Sequence, residues 1–190
     1  MPRSDEPQSN LLLASLPAED LQCLLPQLRC MDLTRGQVLH EPGRPQRHAW
    51  FPTSAVVSKC CTLTSGGSTE IAVVGNEGVV GVSLLLGGDT STSCSDVLVA
   101  GRAFRIGAAV LQEEFQLSEA ARRVLLLYVQ ALMTQVAQAA ICNRFHSIEQ
   151  RVCGFLLDTL DRQDGDALEV TQELVAAMLG VRREGVTAAV

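Results

Sequence analysis

The sequence has neither a long apolar run nor an apolar leader, the two segments that would bring a chain to a membrane or out of the cell. Among its 190 residues, no run approaches the roughly 18 apolar residues of a transmembrane helix. The first ten residues, MPRSDEPQSN, are polar and partly acidic, whereas a signal peptide has an apolar core. We therefore expect a cytoplasmic protein that does not associate with membranes.

A disulfide framework and the common catalytic motifs are not indicated either. The seven cysteines are odd in number and scattered, and without a secretory signal we expect them to be free, buried thiols. The sequence contains no G-x-S-x-G, no G-x-x-x-x-G-K, no H-E-x-x-H and no C-x-x-C. An enzymatic function is therefore not predicted.

The charge balance argues against one class of nucleic-acid binder. The apolar fraction of 47% and the charged fraction of 19% are typical of a folded globular protein. A net charge of −6 argues against non-specific coating of nucleic acid. It leaves open a sequence-specific reader, which needs basic groups on one helix only.

Glycine and proline positions divide the chain into an N-terminal β region and C-terminal helices. Short strand-like pieces between Met31 and Ile106, with a hairpin turn predicted at residues 65–68, are typical of a small antiparallel barrel or jelly roll. We predict an α+β protein. Its predicted parts are a mobile tail (1–10), the β domain (11–116), a long helix (117–145) and a helical domain (146–190).

A long helix is predicted from Ser118 to Asn143, because this stretch has no Pro or Gly and many strong helix formers. Apolar residues recur along it at three-to-four spacing. This seam consists of Leu125, Tyr128, Leu132, Val136 and Ala139. The seam lacks a clean heptad register, so it could pack inside one chain. A long helix beside a compact domain favours pairing with a copy across a two-fold axis, and we predict a homodimer through these residues.

The C-terminal region is predicted to be helical. A helical run over residues 147–163 is followed by a turn at 164–166 and a short strand-like piece, ALEV, at 167–170. Thr171 is a good N-cap for the next helix.

The last twenty residues, TQELVAAMLGVRREGVTAAV, have the pattern of a helix-turn-helix. Gly180 tolerates the positive φ that the turn requires, and Ala176 is small enough for two helices to cross closely. Apolar residues then fix the second helix. The polar residues Arg182, Arg183, Glu184 and Thr187 are left to face a DNA major groove.

Four motifs in order resemble the Crp/Fnr family of bacterial regulators, which includes the cyclic-AMP receptor protein. They are LPAEDL, GQVLHEPG, GNEGVVGVSLLLGG and TQELVAAMLGVRREGV. The resemblance implies a homodimeric transcription factor with a cyclic-nucleotide-binding-like β-roll sensor, a dimerisation helix and a winged helix-turn-helix. It also implies promoter DNA as a partner, with RNA polymerase as a further candidate.

The resemblance assigns roles to the second helix. By position, Arg183 and Glu184 match an Arg–Glu pair that reads bases, which suits the hydrogen-bonding of guanine and cytosine. Arg182 is expected to contact phosphate. Ala188 stands where the family has a further Arg, so we expect a different sequence preference. The alternative is that these charged residues merely solvate an exposed face.

The sensor pocket departs from the family pattern. The family's Gly-Glu-x-Gly is Gly78-Val79-Val80-Gly81 here, and its Arg-Ser falls near Ser91–Thr92. No Lys or Arg occurs between Lys59 and Arg102, whereas a buried phosphodiester needs a charged partner or many donors. We therefore expect no cyclic-AMP binding and an unidentified effector. Neither an iron–sulfur cluster nor a haem is supported, since no clustered thiolates or marked axial ligand are present.

The same comparison places Val190 inside the recognition helix. The expected wing would then be missing, and we predict that the 190-residue chain binds DNA weakly or not at all, because the end of such a helix frays. The alternative function is a regulator-derived sensor or dimerisation protein that no longer binds DNA.

Overall fold

The computed structural model describes residues 5–64, 67–163, 165 and 167–189, and two antiparallel sheets form its N-terminal half. The strands are β1 (Arg29–Leu33), β2 (Val38–His40), β3 (His48–Pro52), β4 (Val56–Thr62), β5 (Ser68–Val74), β6 (Cys94–Val99) and β7 (Gly101–Gly107). One sheet has the order β1-β7-β3 and the other, the larger sheet, has the order β2-β6-β4-β5. The predicted α+β jelly roll is confirmed. The two sheets do not close into a barrel within the described residues.

The β4–β5 hairpin forms where the sequence predicts one. The two strands pair antiparallel from Val57 opposite Val74 to Thr62 opposite Ser68. A register shift between Lys59 and Cys60 marks an irregularity in β4. Residues 65 and 66 of the predicted turn lie outside the described residues.

A buried asparagine fixes the N-terminal helices, α1 (Leu11–Ala14) and α2 (Ala18–Leu24), to the β domain. Asn10 Oδ1 accepts a hydrogen bond from the Leu13 amide at 3.0 Å, and Nδ2 donates to the carbonyl oxygens of Pro52 at 2.8 Å and Gly78 at 2.9 Å. Because Asn10 is fully buried, it belongs to the folded body and not to the mobile tail predicted for residues 1–10.

All seven cysteines are free thiols, as the sequence predicts, but most are not buried. Cys60 is buried, whereas Cys23, Cys30 and Cys153 are exposed. The prediction of buried thiols holds for Cys60, which packs in an apolar cluster beside Met178.

The C-terminal half consists of helices that begin at recognisable caps. They are α3 (Ala108–Leu117), α4 (Glu119–Phe145), α5 (Ile148–Leu160), α6 (Gln172–Leu179) and α7 (Arg183–Ala189). The Ser118 hydroxyl accepts from the Ala121 amide at the start of α4, and Ser147 and Gln150 form a capping box on α5. The predicted long helix is thus confirmed. Residues 167–170 form no strand, and residues 164 and 166 of the predicted turn lie outside the described residues.

The predicted dimer seam on α4 packs inside one chain. Leu125 joins the core beneath α1 and α2, and Leu132 joins the core between the sheets, with Tyr128 and Val136 packed beside them. Ala139 is half-buried. Leu125 and Leu132 are therefore buried within their own chain and unavailable to a second copy, and the homodimer itself stays a prediction.

The opposite face of α4 is exposed and apolar. Its exposed large side chains are Leu126, Leu127, Met133, Ile141 and Phe145. By length and composition alone this helix could cross a membrane, although such a property is shared by helices of soluble proteins. Something other than water is expected to cover a face of this kind.

Candidate nucleic-acid interface and sensor site

Helices α6 and α7 meet in a turn with the geometry that the sequence predicts. The Thr171 hydroxyl caps α6 by accepting from the Leu174 amide at 3.2 Å. Gly180 ends α6 in the left-handed conformation, with φ of 63°. Val175 and Ala176 of α6 and Val186 of α7 are buried where the helices meet. A glycine is favoured at the turn because other residues are strained at positive φ.

The four predicted DNA-reading residues lie on the exposed side of this turn. Arg182, Arg183, Glu184 and Thr187 are all exposed. Within the described residues, neither arginine takes part in an ion pair. Both guanidinium groups are therefore free to bind an anionic partner.

Thr187 also connects the two helices. Its hydroxyl lies 2.9 Å from Gln172 Oε1 on α6 and 3.1 Å from the Arg183 carbonyl oxygen. This contact helps to fix the angle at which α7 leaves the turn.

The C-terminal helices pack against the larger sheet. Val56, Val73 and Leu98 of the sheet form one apolar cluster with side chains of the helices. The helical members are Val152, Phe155, Val175, Ala176, Met178 and Val186. This contact is not predictable from the sequence, because the outward face of a strand gives no sign of which helix will cover it.

Polar contacts at the edge of this docking surface fix its register. The Thr69 hydroxyl donates to the Met178 carbonyl oxygen at 3.4 Å, and Arg35 Nη1 donates to the Glu169 carbonyl oxygen at 2.9 Å. A Cβ atom placed on Gly180 would lie 3.0 Å from the Ser68 carbonyl oxygen. The turn glycine is thus required both for its φ and for its closeness to β5.

A carboxyl group lies beside the docking surface. Ser58 Oγ donates a hydrogen bond to Glu70 Oε2 at 2.6 Å. Ser58 Oγ also lies 3.4 Å from the Met178 sulfur of α6. Burial raises the pKa of Glu70 to about 7, the hydrogen bond from Ser58 opposes this rise, and the charges of Asp158 and Asp96 add to it. The charge of this interface therefore depends on pH near neutrality.

The glycine-rich cassette, residues 75–88, is tightly packed at its centre. The ring of Tyr128 on α4 covers Gly78, where a Cβ atom would overlap the phenol. Val79 and Val80 are buried. Gly81 has φ of 113° and lies against His40. Of the two remaining pocket residues predicted, Ser91 is half-buried and Thr92 is exposed.

One cation enters this region from a neighbouring strand. Lys59 Nζ on β4 lies 3.5 Å from Ser91 Oγ, which lies 2.8 Å from Ser93 Oγ. Burial lowers the pKa of Lys59. The cassette itself contains no Lys or Arg, and this cation comes from a strand that is distant in the sequence.

The space around Lys59 is small in this conformation. Its walls include Val79–Val82 of the cassette and Leu132 of α4, and they enclose about 10 Å³. That volume suits a single water molecule. A larger effector would have to move the cassette, α4 or both.

Arg162, just after α5, joins three parts of the chain. Its Nε donates to Glu77 Oε1 of the cassette at 2.8 Å, and its Nη1 lies 3.5 Å from Asp158 Oδ1. With its amide oriented to suit both neighbours, Gln135 of α4 donates to the Val73 carbonyl oxygen and accepts from Arg162 Nη2, each at 3.2 Å. A displacement of the cassette would therefore reach α4 and the C-terminal helices directly.

In the described part of the chain, no group of three or more His, Cys, Asp or Glu side chains could hold a metal ion. The expectation that the protein binds neither an iron–sulfur cluster nor a haem stays a prediction.

Several solved structures share this fold over most of the chain. A Crp/Fnr-family transcriptional regulator from Eubacterium rectale superposes with a TM-score of 0.78 at 15% identity, covering 96% of this chain and 85% of that one. The c-di-GMP-responsive global regulator CLP of Xanthomonas campestris gives 0.73 at 18% identity, covering 91% and 89%. FixK2 of Bradyrhizobium japonicum gives 0.73 at 14% identity, covering 85% and 82%.

Sequence comparison alone finds no such relationship. No protein-family model matches the chain, and no curated protein resembles it in sequence. The structural neighbours establish that the chain has the fold of the Crp/Fnr transcriptional regulators, as its four motifs predict.

Proposed function

We propose that this chain, which has the fold of the Crp/Fnr regulators, is itself a DNA-binding transcriptional regulator that acts as a homodimer under the control of a signal sensed by the β domain. The observation that carries the proposal is the α6–α7 turn, which presents Arg182, Arg183 and Glu184 to solvent with no ion-pair partner for either arginine among the described residues. We expect it to act in the cytoplasm and to bind promoter DNA. RNA polymerase is a further candidate partner.

The exposed face of α7 suits direct reading of bases. Arg183 opens the helix and Thr187 follows one turn later on the same side. An arginine can bond bidentately to guanine, and a glutamate can accept from the cytosine amino group, so Arg183 and Glu184 are the proposed base-reading pair. Arg182 precedes the helix and is the proposed phosphate contact.

A second copy of the chain is the proposed cover for the exposed face of α4. Met133 is 68% exposed, Leu127 57% and Ile141 51%, and small residues, Ala137 and Ala140, lie between them. The spacing of seven from Leu126 to Met133 suits a two-stranded contact. The inner face of α4 is already bound to the β domain through Leu125 and Leu132, which disfavours a membrane-spanning role.

Signal transmission is proposed to run through Tyr128 and Arg162. Tyr128 connects the cassette to the dimer helix, and Arg162 connects the cassette to the region that carries α6 and α7. An effector entering beside Lys59 would displace the cassette and change both contacts. We propose an effector that does not depend on the family's phosphate-binding arginine, which this cassette lacks.

The alternative function, a sensor or dimerisation protein that does not bind DNA, is favoured by one observation. The α6–α7 segment, residues 171–189, contains two arginines, Arg182 and Arg183, balanced by two glutamates, Glu173 and Glu184. Its weak basic character offers few phosphate contacts, on which affinity for DNA largely depends.

Electrophoretic mobility shift with the DNA upstream of the protein's own gene discriminates the two. We expect retardation that unlabelled specific DNA, but not random DNA, competes away, and a loss of roughly tenfold or more in Arg183→Gln. The matched control is Arg29→Gln, an exposed arginine on β1, which should bind like the wild type. Absence of any retardation at low salt would favour the alternative function.

A further inference from the structure

A groove between β2 and β3 lies apart from the predicted effector pocket. It has a volume of about 470 Å³ and is lined by, among others, His40, Glu41, Arg44, Arg47 and Trp50. Pockets of about 300–1,000 Å³ are usual for small-molecule sites. Nothing in the proposed DNA-binding function uses this groove.

Two buried polar atoms of the groove's lining residues have no partner within the described residues. They are His40 Nδ1 and Trp50 Nε1, and their side chains belong to residues only 6% and 7% exposed. His40 Nε2 lies 2.9 Å from the His48 carbonyl oxygen, so it carries the proton and donates, which leaves Nδ1 as an acceptor. Trp50 Nε1–H is a donor.

Leaving these two buried polar atoms without hydrogen-bond partners costs free energy of folding. An unsatisfied buried donor or acceptor costs about 1–3 kcal/mol. Burial lowers the pKa of His40, so the ring stays neutral and keeps its acceptor at neutral pH. A ligand hydroxyl, like a water molecule, can accept from an indole N–H and can donate to an imidazole nitrogen.

The rim of the groove is cationic. Arg44 pairs with Glu41 at 3.3 Å on the surface. Within the described residues, Arg47 has no ion-pair partner, and the Arg105 guanidinium lies 5.6 Å from the centre of the Trp50 ring. Burial and the charges of Arg105 and Arg47 lower the pKa of His48. Two arginines, Arg44 and Arg47, thus line the groove beside one carboxylate, Glu41, which favours an anionic ligand.

We propose that this groove binds a small hydroxylated organic anion, whose carboxylate or phosphate contacts Arg47 and Arg44 and whose hydroxyl groups engage Trp50 Nε1 and His40 Nδ1. The site is separate from the space beside Lys59 and does not depend on the proposed DNA binding.

A ligand bound in the groove would also affect the cassette, because residues that line the groove contact the cassette directly. Trp50 and Val80 exchange two backbone hydrogen bonds, of 3.0 and 2.8 Å. The Ser83 hydroxyl donates to Gln46 Oε1 at 2.5 Å, and Gln46 lines the groove. An occupant of the groove would restrict movement of the cassette.

The chain contains a single tryptophan, Trp50, so its fluorescence reports on the surroundings of this one groove-lining residue. The probes are malate, citrate and glycerol 3-phosphate, and the matched controls are succinate and tricarballylate, which lack the hydroxyl group. We expect a saturable fluorescence change with at least one hydroxylated anion below about 10 mM. Its hydroxyl-free analogue should bind at least roughly tenfold more weakly, because a site built for a hydroxyl rejects a ligand without one.

Two substitutions of groove residues test whether the fluorescence change arises from binding in the groove. Arg47→Gln, at the rim, should weaken binding roughly tenfold, whereas Arg123→Gln on α4 should not change it. His40→Phe should remove the preference for malate over succinate, with circular dichroism and thermal unfolding to check its fold. If His40→Phe does not fold, Arg47→Gln carries the test.

Three results would overturn the proposal. One is no saturable change with any of the three hydroxylated anions up to about 10 mM, which would mean that water satisfies the groove. Another is an equal response to sodium chloride at matched ionic strength, which would indicate simple screening. The third is unchanged affinity in Arg47→Gln.

Discussion

The two short helices of the C-terminal unit, residues 171–189, carry opposite surfaces. On the side of α6, Met178 and Ala176 are buried in one apolar cluster with the larger sheet. On the side of α7, Arg182, Arg183 and Glu184 are exposed. One turn at Gly180 separates a surface that holds the unit in place from a surface that can recognise a partner.

The difference separates two kinds of residue effect. Residues in the docking cluster contribute to the free energy of unfolding through buried apolar area. The exposed residues contribute little to stability, since surface charges outside networks are worth little. Substitutions in the docking cluster should therefore change the free energy of unfolding, whereas substitutions of the exposed residues should change the affinity for DNA.

The largest effect is expected from Phe155→Ala in the docking cluster. Phe155 is 4% exposed and packs with both the sheet and the C-terminal helices. Removing the ring should lower the free energy of unfolding by about 3–5 kcal/mol, measured by urea denaturation. Arg183→Ala on the exposed side is the control and should change it by less than about 0.5 kcal/mol. Equal effects of the two would contradict the division.

A pH-dependent effect is expected from Glu70 beside the docking surface. Its pKa is raised from the usual 4.5 to about 7. Below pH 4.5 both folded and unfolded states are protonated at this site, and above it the folded state holds its proton more tightly. Stability should therefore fall as the pH rises from 4.5 towards 7, by roughly 1–3 kcal/mol for this group.

Glu70→Gln tests the assignment, because the amide keeps an acceptor for Ser58 but does not ionise. The stability of wild type relative to this variant should decline between pH 5 and pH 8, as measured by urea denaturation at each pH. The charged neighbours Asp158, Asp96 and Arg162 remain in both proteins. A difference that stays constant with pH would show that Glu70 is ionised throughout.

A smaller effect is expected at the turn that joins the two surfaces. Gly180→Ala should cost about 1–2 kcal/mol, from its positive φ and from the Ser68 carbonyl oxygen that lies 3.0 Å from the new Cβ. Gly36→Ala is the matched control: its φ is 78° but a Cβ atom would meet nothing within 4 Å. Thermal unfolding should show the larger loss for Gly180→Ala. Equal losses of thermal stability in the two variants would mean that the contact between β5 and the turn does not contribute.

The local features could be predicted from the sequence because their causes are local. The helix from Ser118 lacks breakers, and the structure places α4 at Glu119–Phe145. Thr171 caps α6 and Gly180 ends it, as their side-chain chemistry dictates. The β4–β5 hairpin follows from alternating strands around a turn.

The remaining features depend on contacts between distant segments. The seam through Leu125 and Leu132 was predictable as an apolar face, but the sequence alone does not decide whether its own β domain or a second copy covers it. Lys59 reaches Ser91 only because β6 lies between β2 and β4. The contacts of Asn10 with Pro52 and Gly78 cross the β domain in the same way.

The most direct test of the central claim compares Arg183→Gln with Arg182→Gln by fluorescence anisotropy on the protein's upstream DNA and on a sequence-scrambled duplex. A base-reading Arg183 predicts that its variant loses about 1–3 kcal/mol of discrimination between the two duplexes. A phosphate-contacting Arg182 predicts weaker binding to both duplexes alike, with a shallower salt dependence. Equal affinity of the wild-type protein for both duplexes would contradict the account.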